Sequence, residues 1–150
     1  SDVIQEEFAQ GFQMELETIK SFFESKSESL DNEKVSYFFQ KLPSHYFKGA
    51  GYESFLHLTS KVGNQELCLN LIKNGAEINA KNSDEITPLM RAASNGCEKV
   101  CLFLIEKGAE VNSKDSNGKT PLMWAADEGH DKLCLVLIDE RAEVNAKSSD

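Results

Sequence analysis

The chain has 150 residues, 40% of them hydrophobic, and a formal net charge of −9, which suits one compact domain or a short repeat array with enough apolar material for a core. Its acidity is spread out, nine acidic against five basic residues over 1–48 and sixteen against eleven over 49–150, so nowhere do Lys and Arg cluster as counterion release from nucleic acid requires. No apolar run approaches the about 20 residues of a membrane span, and the N-terminus, with Asp2, Glu6 and Glu7, lacks the basic flank of a secretory signal.

In the first third, Ile4, Phe8, Phe12, Leu16, Ile19 and Phe23 recur at steps of three or four, which predicts a long amphipathic helix. Asp31 follows as a candidate N-cap, with Leu30 and Val35 placed as a hydrophobic staple, opening a second helix that Leu42-Pro43 closes. A Phe-rich helix at the end of a stack is expected to seal the core. Gripping a partner is the other use of such a face.

From residue 49 the chain matches itself at a shift of 33. Thr87-Pro88-Leu89-Met90 returns as Thr120-Pro121-Leu122-Met123, with Ser54-Phe55-Leu56-His57 as a weaker first copy. Gly75-Ala76-Glu77-Ile78-Asn79-Ala80 returns at Gly108 and again, with Arg in place of Gly, at Arg141. Three units are expected, 49–81, 82–114 and 115–147, with 148–150 beginning a truncated further one. The same shift run backwards sets Phe23 under Leu56 and Phe38 under Leu71, so 1–48 is expected to hold a helical cap with a degenerate unit.

Each unit spells two helices. Thr87 and Thr120 are suited to cap the first through their hydroxyls, and Pro88 and Pro121 fall at its first position, where a missing N–H is harmless. Ala92-Ala93 and Ala125-Ala126 let a neighbouring helix approach, and Gly96 or Gly129 ends the helix in a left-handed turn. The second helix shows three-to-four spacing at Val100, Cys101, Leu104 and Ile105, and at Leu133, Cys134, Leu137 and Ile138. Gly75 and Gly108 then stop it, and Asn79 and Asn112 are expected to brace the next finger.

Taken together, the Thr-Pro-Leu run, the Ala pair, the apolar helix and the Gly-Ala-x-x-Asn tail at a period of 33 resemble the ankyrin repeat family, over residues 49–147. The resemblance implies an all-α solenoid of stacked helix-turn-helix units with β-turn fingers. It also marks departures. Phe55 stands for Pro, Met90 and Met123 for the motif His, Asn64 and Cys97 for the His of Gly-His, and Arg141 for the terminating Gly. Arg141 in a left-handed position is expected to cost about 1 kcal/mol. His57 is expected to bond Ser54 in the manner of the family's Thr–His pair.

Family resemblance also implies where binding occurs: at finger tips and on the exposed side of the first helices. The fingers present Ser83, Asp84, Glu85 and Ile86, then Ser116, Asn117 and Lys119. First helices present Arg91, Ser94 and Asn95, then Trp124, Asp127 and Glu128, with Lys61 as the counterpart in the first unit. Trp124, the single tryptophan, is the leading candidate because desolvated aromatics dominate interface energies. Packing against Arg91 of the preceding unit is its structural alternative. Asp127 and Glu128 beside it favour a protein partner with a basic or mixed surface.

Catalysis and cofactors find no support. Cys68, Cys101 and Cys134 are spaced by 33 and so occupy one core position, and no Cys-x-x-Cys pair with a partner His at zinc spacing exists. Cys97, near a helix start where the dipole can lower a thiol pKa, leaves a redox or metal sensor open as a separate reading. His45, His57 and His130 show no nucleophile and acid at matching spacing, and the acidic pairs Asp84-Glu85, Asp127-Glu128 and Asp139-Glu140 read as solvated charge. No glycine-rich phosphate loop appears. Free thiols in a repeat pattern point to an intracellular compartment, cytoplasmic or nuclear, or a host cell for a delivered effector. The expectation is a scaffold or adaptor module without cofactor, or else the targeting arm of a larger enzyme.

Overall fold

A computed structural model describes residues 54–149; the helical cap expected over 1–48, with Asp31 and His45, lies outside these. Six helices follow one another in pairs: α1 Phe55–Val62 and α2 Gln65–Lys73, α3 Pro88–Ser94 and α4 Glu98–Glu106, α5 Pro121–Asp127 and α6 Asp131–Asp139. Between pairs the chain forms an extended finger. Among the described residues no helix is long and apolar enough to cross a membrane.

The expected starts and stops are where the sequence puts them. Thr87 and Thr120 accept from the backbone N–H groups of Met90 and Met123, with Pro at the first turn of α3 and α5. Gly96 ends the α3 turn at φ 69°, and a Cβ there would come within 2.7 Å of the His130 ring, so Gly is required both for conformation and for space. Arg141 adopts φ 71°, the left-handed position that Gly75 and Gly108 hold in the other units. Glu85 does the same at φ 58° where the next finger has Gly118.

Stacking explains the period. Leu67, Val100 and Leu133 form one buried column and Leu71, Leu104 and Leu137 another; burying each such leucine stabilises by about 1.5–3 kcal/mol. In the first helices the column is small, Thr59, Ala92 and Ala125, all fully buried. α3 therefore packs closely between α1 and α5, whereas α2 and α4 touch more sparsely. Thr59 is tolerated among alanines because its hydroxyl donates to Leu56 O at 3.3 Å and lies 3.3 Å from Cys68 Sγ. Cys68 and Cys101 are buried as the period predicts, but Cys134 is only half-buried; the last unit has no neighbour beyond it among the described residues.

Side-chain bonds cross from unit to unit at the same offsets. Asn79 Nδ2 donates to Gly108 O and its Oδ1 accepts from Glu110 N; Asn112 does the same with Arg141 O and Glu143 N. These asparagines thus brace the next finger, as expected, at its root just after that unit's second helix. The tips are joined by backbone: Ser116 N donates to Asp84 O at 2.9 Å and Ser149 N to Asn117 O at 2.7 Å.

Candidate functional site

The face made by the fingers and first helices begins with buried short polar side chains that shape each finger. Asn82 Oδ1 accepts from Asp84 N and Ile86 N, and Asp115, 33 residues on, accepts from Asn117 N and Lys119 N through one oxygen. Each side chain closes the tip by imitating a backbone turn. Neither residue featured in the sequence reading, although Asn and Asp at one offset in two units, just ahead of the tip, are a turn signal.

Asp115 does more than Asn82 can. Its second oxygen accepts from Trp124 Nε1 at 3.1 Å, which fixes the indole at the root of the finger, half-buried. Lys119 Nζ lies 3.9 Å from the centre of that ring and also pairs with Asp127 Oδ2. Three residues singled out from sequence, Lys119, Trp124 and Asp127, are therefore one cluster, in which the indole receives a cation from its own finger. Aromatic face, ammonium and carboxylate form a closed electrostatic set.

The remaining candidates divide by what their atoms already do. Asp84 and Glu85 are exposed at one tip and Asn117 at the next, while Ile86 is buried behind its tip at 7% exposure. Its carbonyl accepts from His57 Nε2 at 2.7 Å, so Ile86 serves the finger more than a partner. Because a carbonyl only accepts, His57 carries its proton on Nε2; Nδ1 then accepts from Ser54 N at 3.1 Å and from the Ser54 hydroxyl at 2.7 Å. In the second unit Met90 fills the same place, and its Sδ accepts from Thr87 N at 3.4 Å.

Asn95 is exposed, yet its amide donates to Lys61 O at 2.8 Å. Sequence explains why. His130 Nε2 donates to Ser94 O at 2.9 Å across the α3–α5 step, but Cys97, at the same repeat position, reaches Lys61 O only at 3.7 Å through sulfur. Asn95 supplies the strong donor that Cys97 lacks. Ser94 is half-buried with its carbonyl taken by His130, Arg91 is half-buried, and Lys61, Asp127 and Glu128 are exposed.

Cys97 sits at the N-cap of α4 without a side-chain cap bond, but burial pushes its thiol up. That is opposite to the direction a helix dipole would give, and it disfavours a thiolate there. Burial raises Cys68 as well, and takes Cys101 to about 12 with help from Cys97 and Glu98.

A family model described as ankyrin repeats, in three copies, matches residues 56–148. Comparison with curated proteins gives no match.

Proposed function

We propose, from the premise that this chain belongs to the ankyrin repeat family, that it recognises a protein partner through its finger tips and the exposed side of α3 and α5. Repeats of this family are generally protein–protein interaction modules. The observation that carries the reading is how the residues divide. Core offsets such as Leu67, Val100 and Leu133 or Leu71, Leu104 and Leu137 hold apolar types in every unit, whereas the less buried offsets on this face differ from unit to unit: Asp84 against Asn117, Arg91 against Trp124, Ser94 against Asp127. Architecture accounts for the first group and leaves the second for recognition.

Asp84, Glu85, Asp127 and Glu128 are all exposed on this side and favour a partner with a basic or mixed surface, through steering and register more than raw affinity. Trp124 is the anchor: a rigid aromatic with its polar end already satisfied by Asp115, so burying it strands no donor. Its role is binding without turnover. Affinity capture with the wild type beside Trp124→Ala and Asp127→Lys tests the reading. Loss of the same captured protein from both variants supports it, and identical capture by all three refutes the face.

A further inference from the structure

We propose that the Trp124 ring and the Asp127 carboxylate form a receptor for an arginine side chain of the partner, and that Lys119 occupies this receptor in the free protein as an internal placeholder. The proposal rests on the reading that this face binds a protein, and names the group it takes. Lys119 Nζ is seated 3.9 Å over the indole centre and paired with Asp127 Oδ2, so the chain itself displays the chemistry the site accepts: a cation between a π face and a carboxylate. The indole is held for this by Asp115, whose other oxygen closes the finger, so the ring stands ready before any partner arrives.

Scaffolding does not require the cluster. At the same offsets the second unit carries Ile86, Arg91 and Ser94, and its finger closes as well on Asn82 alone. Nor is the seat sealed. The Lys119 side chain is 24% exposed and Asp127 56%, so water reaches both and the pair is readily exchanged.

Arginine is the ligand that gains by the exchange. Its guanidinium is planar, stacks on indole, is less strongly hydrated than an ammonium and meets a carboxylate through two parallel N–H bonds. An incoming lysine would merely replace like with like. The displaced Lys119 ammonium, on a flexible four-carbon stem, moves to water.

Trp124 is the one tryptophan in the chain, so its emission reports this site and no other. The test titrates Lys119→Ala and wild type with N-acetyl-arginine amide, using N-acetyl-citrulline amide as the neutral isostere. Vacating the seat is expected to lower the half-saturating concentration at least ten-fold relative to wild type, with no response to citrulline. Adding Asp127→Asn to Lys119→Ala is expected to reverse the gain. Lys119→Gln, which keeps most of the stem, makes the same prediction should the alanine variant fold poorly by circular dichroism. A folded variant that shows no saturable change, or the same change with citrulline, overturns the proposal. If that happens while Trp124→Ala still abolishes partner capture, the binding face stands and only its arginine ligand is lost. Saturable arginine binding with capture unaffected by Trp124→Ala would keep the receptor and remove the protein-binding reading beneath it.

Discussion

Trp124 Nε1 donates to Asp115 Oδ2 at 3.1 Å while the other oxygen of the same carboxylate accepts two backbone N–H groups of the finger. One buried side chain thus couples the shape of a loop to the orientation of the aromatic that the loop flanks. Asp115→Ala is expected to destabilise the chain by about 2–3 kcal/mol, because it orphans three donors at a site 5% exposed. Asp115→Asn is expected to cost about 1 kcal/mol, since Asn82 closes the preceding finger with an amide oxygen. Urea unfolding of both variants checks this ordering; equal losses would contradict it.

His57 ties the first unit to the second. Its Nε2 reaches Ile86 O at 2.7 Å and its Nδ1 completes the cap on Ser54, all fully buried. His57→Ala combines a cavity with lost hydrogen bonds and is expected to cost about 2–4 kcal/mol. His57→Met is expected to cost less, because Met90 fills the equivalent place and accepts from Thr87 N. Equilibrium unfolding that found the alanine variant within about 0.5 kcal/mol of wild type would overturn this account of the unit boundary.

Arg141 and Glu85 both adopt left-handed backbone, Arg141 where the other two units have Gly75 and Gly108, Glu85 where the next finger has Gly118. Arg141→Gly is expected to stabilise by about 1 kcal/mol, without disturbing the bond from Asn112, which goes to the backbone carbonyl. Glu85→Gly is expected to stabilise by a similar amount while weakening partner capture, since Glu85 stands at an exposed tip. Thermal unfolding and capture of the two variants side by side check both halves.

Much of this was legible in the sequence. The 33-residue period gave the helix pairs, the Thr-Pro starts, the glycine stops and the buried columns, because each depends on local chemistry repeated in place. What escaped depends on contacts between units or within a finger. The repeat predicts that Asn79 braces the next finger, but the stacking offset decides that its partners are Gly108 and Glu110. Asn95 is legible as an exposed residue, but its bond to Lys61 O, left open by the weak Cys97 donor beside it, is not. Lys119, Trp124 and Asp127 are each legible in the sequence as outward residues, but not as one cluster. The curl of the finger, fixed by Asp115, carries Lys119 onto the ring.

Alkaline stability follows from the core thiols. Cys101 has an ordinary value of 9.0 and is pushed up to about 12 in the fold, so above pH 9 the unfolded chain releases a proton that the folded chain retains. Its contribution is fully present below that pH and is lost as pH rises towards the folded value. Between these limits wild type is expected to lose about 1.4 kcal/mol per pH unit more than Cys101→Ala, which narrows the gap between them. Unfolding curves for the pair from pH 8.5 to 11 check the slope; a constant gap would contradict it.

The central claim is that recognition happens on the finger and first-helix side, and hydrogen exchange on the captured complex reads this directly. Protection on binding is expected at Asp84 and Glu85, at Asn117 and from Trp124 to Glu128, with the outer side of α4 and α6, where Leu102 and Leu135 are exposed, unchanged. Protection confined to α4 and α6, with the fingers and α5 exchanging as in the free chain, would contradict it.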